Sequence, residues 1–251
     1  MGEYENFAEV YDHLMCDVNY EKRAKYLLSL FEKYDRRPKV MLDLACGTGA
    51  FSNEFAKCGI EVIGADASPE MLCTARCNSD NLGLNVFYLC QRAEDLDLYG
   101  TVDGAVCCLD SLNHITDYGS FCRAISRVSL FLEPERLFIF DVNTVYKHKY
   151  ILADNTYITE EDGVYCVWQN QTDENTLITD IMLDFFIKDG ETYRRTCEDF
   201  SERAYTKEEI KSALCAAGLK IETVLDDISG KPVNSKTERA VYVTRKVKGN
   251  K

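Results

Sequence analysis

A short apolar run, Val40-Met41-Leu42-Asp43-Leu44-Ala45, passes directly into Cys46-Gly47-Thr48-Gly49, and helical spacing begins at once after it. A buried strand that enters a glycine turn and then a helix is the opening of a βαβ unit, which commits a chain to a parallel sheet. The residues that follow repeat the alternation. Strands are predicted over 61–66, 85–90, 102–109 and 137–142, and helices over about 50–58, from Ser68-Pro69 onward, and over about 118–132. Gly59 stands where a C′ glycine ends a helix, and Ser68 with Pro69 supplies an N-cap and an N1 proline. The pattern predicts an α/β fold with helices on both faces of the sheet. The glycine turn then lies at the carboxyl edge of the first strand, where open α/β sheets bind ligands.

On either side of this core the texture changes. In the first 35 residues Phe7, Val10, Tyr11 and Leu14 recur at helical spacing, as do Tyr26, Leu27, Leu30 and Phe31. After about residue 150 the period becomes two, and strands over 177–188 and 192–199 flank Asp189-Gly190, a two-residue hairpin signal. Thr206 and Glu209 form a capping box before Ile210 and Leu214, Gly218 closes that helix, and strands over 219–226 and 239–246 end the pattern. The chain divides into N-terminal helices and a ligand-binding core (1–150), an antiparallel β insertion (151–204), and a last helix and two strands that complete the core (205–251).

The formal net charge of −13 disfavours nucleic acid, whose binders present basic surfaces to phosphate. The two basic clusters, Lys147-His148-Lys149 and the stretch from Lys246 to Lys251, are short and read as solvated surface. The N-terminus lacks the basic and apolar regions of a signal peptide, and Asn6 occupies the Ser/Thr position of a myristoylation motif. No apolar stretch approaches the roughly 18 residues of a membrane span. A cytoplasmic location is expected. Twelve cysteines without a C-x-x-C pair read as reduced thiols, with Cys90, Cys107 and Cys166 in apolar runs, and no structural metal site is expected.

Gly47 and Gly49 let the backbone turn sharply and let a ligand approach it. Asp66, at the end of the second strand, is placed to accept from both ribose hydroxyls and would repel a 2′-phosphate. Two cofactor classes fit a nucleoside with free hydroxyls. A dinucleotide site wants G-x-G-x-x-G, and here the third glycine position is Ser52. Asp43, just before the turn, suits a cationic methionine ammonium better than a pyrophosphate. These residues favour S-adenosyl-L-methionine.

Residues 38–142 resemble the class I S-adenosylmethionine-dependent methyltransferases. From Tyr4-Glu5-Asn6-Phe7-Ala8-Glu9-Val10-Tyr11-Asp12 to Arg203-Ala204-Tyr205-Thr206 the chain is similar to a group of small bacterial methyltransferases with an antiparallel insertion after the fifth strand. The resemblance implies a Rossmann-like, seven-stranded, mostly parallel sheet. It implies that Asp43, Ala45, Cys46 and Gly47, with Thr48 and Gly49 of the same turn, hold the methionine end. Asp66 would hold the ribose, Ala67 and Met71 would flank the adenine, and Ala93 and Glu94 would pass its far face. Leu109 and Asp110 would face the sulfonium. Family members usually carry an aspartate where this chain has Arg92, which cannot accept from the adenine amino group.

Methyl transfer needs an in-line approach and, for some acceptors, removal of a proton. His114 is the candidate base, with a loop histidine in a local hydrogen bond as the competing account. Asp110 is the candidate for orienting the acceptor, with a capping or turn role before Ser111 as its alternative. Tyr11 is the candidate for closing over the cofactor, with helix packing as its alternative. Cys46 has no neighbour in sequence to activate its thiol. The insertion offers Trp168, Tyr165, Phe185, Phe186 and Tyr193 as an acceptor surface or as ordinary sheet core, and Arg194, Arg195 and Arg203 as anchors for an acidic acceptor. An exposed hairpin there also permits a homodimer beside a monomer. The favoured function is methyl transfer to a small-molecule acceptor, releasing S-adenosyl-L-homocysteine. A catalytically silent cofactor-binding protein and an NAD-dependent oxidoreductase are the alternatives.

Overall fold

The structure, a computed structural model, describes residues 18–161 and 163–248. The first expected helix, with Tyr11, and the end of the basic tail lie outside the described residues. Five parallel strands are β1 (Val40–Leu44), β2 (Glu61–Asp66), β3 (Val86–Cys90), β4 (Gly104–Cys107) and β5 (Leu137–Asn143). After the insertion the chain returns as β10 (Leu219–Asp226), a two-residue edge strand β11 (Lys231–Pro232) that the sequence did not signal, and β12 (Arg239–Lys246). The order across the sheet is β11-β10-β12-β5-β4-β1-β2-β3, with β12 antiparallel to both β5 and β10.

Side chains alternate across this sheet and build two cores. On one face Leu42, Leu44, Phe138, Phe140 and Tyr242 meet α4 (Tyr118–Phe131) and α5 (Lys207–Ala216) through Phe121, Ile125 and Leu214. On the other, Met41, Val62, Val106, Ile139 and Val243 meet α1 (Tyr20–Tyr34) and α2 (Ala50–Lys57) through Leu27, Phe31 and Phe55. The odd-numbered positions that line this second face include Asp43 and Asp141, near the carboxyl ends of β1 and β5. Neither carboxylate fits an apolar layer, and both are used at the sheet edge. A further helix, α3 (Pro69–Asn81), starts as expected with the Ser68 hydroxyl accepting from the Met71 amide at 3.1 Å.

Between β5 and α5 lies a separate four-stranded antiparallel sheet, β6 (Thr156–Glu161), β7 (Val164–Asp173), β8 (Ile178–Asp189) and β9 (Thr192–Arg203), in that order. The strand β6 was not anticipated, and β9 runs four residues past the expected 199 because its ladder with β8 continues to Ile178 opposite Arg203. The hairpin loop is Gly190-Glu191, one residue later than read, since Asp189 pairs with Thr192. Val164, Cys166, Ile181, Leu183 and Phe185 form the apolar face, and Met71 of α3 is buried among them. The described cysteines are unpaired; Cys107 and Cys166 are buried as expected, whereas Cys90 is exposed at the end of β3.

Candidate active site

The turn after β1 begins with Ala45 at φ +55° and continues through Gly47 (+53°) to Gly49 (+77°), which caps α2. The two glycines serve different ends. A Cβ on Gly49 would run into the Tyr88 hydroxyl, which is held by Ser79 at 2.8 Å. A Cβ on Gly47 would meet nothing within 4 Å. Gly49 is therefore required by the fold, while Gly47 keeps open a cleft bounded by Asp43, Tyr20, Phe51, Leu109 and Ser111. An open backbone of this kind is what a bound cofactor needs.

Asp66 ties the two loops of this cleft together. Its carboxylate accepts from the amide of Gly47 at 2.8 Å and from that of Ser68 at 2.9 Å. Burial raises its pKa, and these backbone donors oppose the rise. Each carboxylate oxygen has two lone pairs, so capacity for ribose hydroxyls remains. Asp43 is buried and accepts from the Ser52 hydroxyl at 2.5 Å; burial carries its pKa up to about 7. Ser52, read as an incomplete glycine fingerprint, is the hydrogen-bond partner of that carboxylate. Burial, with Asp43 and Asp66 nearby, pushes the Cys46 thiol well up, which disqualifies it as a nucleophile.

The remaining cofactor candidates are scattered around this cradle. Thr48 is buried, with its carbonyl accepting from Asn78 at 3.1 Å. Ala67 is exposed at the rim. Ala93 and Glu94 form a 3₁₀ turn after β3, where Arg92 donates to Glu94 at 2.7 Å. The unexpected arginine thus engages the carboxylate proposed beside the adenine.

The end of β4 is conformationally unusual. Leu109 and Asp110 both have φ +56°, a region that costs a residue with a side chain about 1–2 kcal/mol. Asp141 holds them there, accepting from the Leu109 amide at 2.9 Å and the Asp110 amide at 2.7 Å. Arg239, from β12, bridges Asp141 at 2.6 Å and Asp110 at 2.7 Å. Burial works against ionised Asp110, but Arg239 and Lys147 outweigh it and bring its pKa to about 2. Asp110 also holds the N-cap position of the turn before Ser111, where its backbone carbonyl accepts from the Asn113 amide at 2.6 Å and its side chain makes no capping bond.

His114 ends the 3₁₀ turn that follows. Its ring stacks on Phe200 at 5.0 Å between centroids, and its Nε2 lies 3.6 Å from Glu202 Oε1. Phe200 and Glu202 are two apart on β9 and face the same way, so the insertion supplies both groups around the imidazole. The neighbouring Asn113 is fully buried; its amide donates to the carbonyls of Asn143 and Arg203 and accepts from the Asn143 amide. This clamp fixes β9 to β5 beside the site. Asn143 in turn donates to Asp110 at 2.5 Å and Glu202 at 3.1 Å. His148, read as solvated surface, is instead fully buried with Nδ1 2.8 Å from Thr179, while Lys147 reaches Asn143 at 3.0 Å.

Asp141, Asn143, Glu202 and Arg239 escaped the sequence reading. Asp141 alone left a signal, a carboxylate inside an otherwise apolar strand. The aromatic residues of the insertion do not form one surface. Phe185 is core, Trp168 packs on it, Tyr165 and Phe186 meet edge to face, and Tyr193 is exposed. Arg195 pairs with Asp184, and Arg203 with Glu209, so neither stands ready for an acidic ligand.

A glycine turn after β1, a carboxylate ending β2 and this strand order define a class I S-adenosylmethionine-dependent methyltransferase. Residues 41–131 match the methyltransferase domain family. The putative methyltransferase YqeM of Bacillus subtilis (strain 168) is 30% identical over 247 residues, covering 98% of each chain. The crystal structure of an S-adenosylmethionine-dependent methyltransferase from Clostridium acetobutylicum ATCC 824 superposes with a TM-score of 0.89 at 32% identity, over 98% of this chain and 99% of that one. The S-adenosylmethionine-bound CalS10, an amino pentose methyltransferase from Micromonospora echinaspora, shares the fold with a TM-score of 0.77 at 19% identity, over 98% and 99%. The chain belongs to the class I S-adenosylmethionine-dependent methyltransferases, in the family that includes YqeM. S-adenosylmethionine is its cofactor, which sets the dinucleotide reading aside.

Proposed function

We propose that the chain transfers the methyl group of S-adenosylmethionine to a small-molecule acceptor that approaches over Asp110 and His114. The observation that carries this reading is the pair of left-handed residues, Leu109 and Asp110, held by Asp141 at the end of β4, with Leu109 lining the cleft of the glycine turn. Strained backbone that its surroundings over-determine is characteristic of sites that position a reactant. The bound cofactor supplies an already activated methyl carbon. In this reading Asp43, Ala45, Gly47, Thr48 and Gly49 hold the methionine end, Asp66 the ribose, and Ala67, Ala93 and Glu94 the adenine. Met71 acts indirectly, through its burial against the insertion sheet. Asp110 positions the acceptor through the Arg239 and Asn143 network, and His114 takes its proton.

The acidic net charge favours a small acceptor over a nucleic acid. So does the company of similar folds, which includes a sugar N-methyltransferase and an amino pentose methyltransferase. The test is a methyl-transfer screen of a metabolite library with labelled cofactor. Turnover of at least one small acceptor is expected, falling by about 10²–10⁴ in His114→Ala if the imidazole is the base. Tight S-adenosylhomocysteine binding with no acceptor methylated would instead favour a catalytically silent binding protein.

A further inference from the structure

Glu202 is buried yet, among the described residues, pairs with no lysine or arginine. Among the described residues, Glu202 and two nearby carboxylates (Asp110 and Asp141) face two strong cations, Arg239 and Lys147. Arg239 is committed to Asp110 and Asp141, and the Lys147 ammonium donates to the Asn143 side-chain amide oxygen Oδ1. Beyond the Asn143 amide, which donates to Oε2 at 3.1 Å, two imidazoles face Glu202 among the described residues: His114 Nε2 at 3.6 Å from Oε1, and His148 Nε2 at 3.7 Å from Oε2. Both imidazole distances are too long for hydrogen bonds. They approach the separation of about 3.0–3.5 Å between two ligands that share one ion at roughly 2.1 Å. Ligand atoms of Asp110, His114 and Glu202 all lie within 4.8 Å of one another.

A second observation points the same way. His148 is fully buried, its ring is pinned through Nδ1 by Thr179, and its Nε2 has no hydrogen-bond partner among the described residues. A buried polar nitrogen left in that state and aimed at a buried carboxylate is costly, on the order of 1–3 kcal/mol. A cation on Glu202 would give that carboxylate a charge partner.

We propose that Asp110, His114 and Glu202 bind a divalent first-row transition ion. The ligand set of one imidazole and two carboxylates suits Mn²⁺, Fe²⁺ or Zn²⁺. Asn143, bridging Asp110 and Glu202, and Arg239, behind Asp110, hold the two carboxylates in place from outside. An imidazole nitrogen that ligates an ion takes no proton, so the base role proposed for His114 belongs to the ion-free chain.

The proposal is tested on the full chain, stripped with chelator and titrated with Mn²⁺, which the exposed thiols bind poorly. Free ion is counted by its electron paramagnetic resonance spectrum, and ligands are read by electron spin echo modulation. One Mn²⁺ per chain is expected, with ¹⁴N modulation that disappears in His114→Ala and affinity at least about 10-fold weaker in Glu202→Gln. Absence of stoichiometric binding, absence of ¹⁴N modulation, or unchanged affinity in Glu202→Gln overturns the site. Calorimetry with S-adenosylhomocysteine on each variant reports folding and the cofactor site separately. Its failure in the wild-type chain would count against the methyltransferase reading and leave the metal result standing.

Discussion

Gly47 and Gly49 occupy similar backbone conformations two residues apart, yet they predict different phenotypes. Gly49→Ala forces a methyl group onto the Tyr88 hydroxyl, within a buried hydrogen-bonded group that includes Ser79 and Asn53. Strain at φ +77° adds to the clash, so a loss of about 2–4 kcal/mol in stability is expected from denaturant melts. Gly47→Val meets only the strain, about 1–2 kcal/mol, but its side chain enters the cleft. Calorimetry on Gly47→Val should show S-adenosylhomocysteine affinity reduced by more than about 100-fold with the fold intact, a ratio of about 2.7 kcal/mol. A Gly47→Val chain that binds normally would mean that the cofactor does not approach this backbone. Both glycines were legible in the sequence as turn residues. Their division of labour was not, because it depends on Tyr88, a strand away.

The insertion reaches the site through one strand, β9, and one clamp, Asn113. Removing that side chain strips the carbonyls of Asn143 and Arg203 and the amide of Asn143 of a buried partner. Each orphaned group costs about 1–3 kcal/mol. Asn113→Ala should therefore lower the melting temperature by at least about 6 °C for a chain of this size. Hydrogen exchange should quicken at the β9 amides near Arg203 while the β1–β2 amides stay protected, and a uniform loss across both sheets would refute a local clamp. The helices and parallel strands were legible because period and caps are local signals, as with Ser68-Pro69 before α3 and Thr206 with Glu209 before α5. Strand β6 was missed because Thr156-Tyr157-Ile158-Thr159-Glu160-Glu161 carries little alternating hydrophobicity. Glu202 and Arg239 were missed for a different reason. They meet Asp110 only after the chain has crossed the insertion and returned, and no spacing in sequence encodes that meeting.

The molecule gathers several buried acids near the carboxyl edge of the sheet, Asp43, Asp66 and Asp141 among them, and its stability without cofactor carries that load. Asp43 has a pKa of about 7 in the fold against about 3.9 in an unfolded chain. Its contribution is therefore fully present below about pH 4 and is lost as pH rises through 7. Asp66 and Glu202 are displaced in the same direction. His148, lowered to about 4 by burial and Lys147, opposes them between about pH 6.5 and 4 but is silent above that window. Between pH 6.5 and 8 the unliganded chain should lose stability mainly through Asp43. An ammonium beside Asp43 would reverse this, because it favours the ionised carboxylate. If the methionine end of the cofactor sits there, S-adenosylhomocysteine should bind more tightly at pH 8 than at pH 6, with proton release at the lower pH. At 100 times its dissociation constant a ligand stabilises by about 2.7 kcal/mol, or roughly 5–11 °C for a chain of this length. That thermal shift should be larger at pH 8 than at pH 6 at a fixed ligand concentration, and the difference should vanish in Asp43→Asn. A shift independent of pH in the wild-type chain would place the ammonium elsewhere and leave Asp43 to its bond with Ser52 alone.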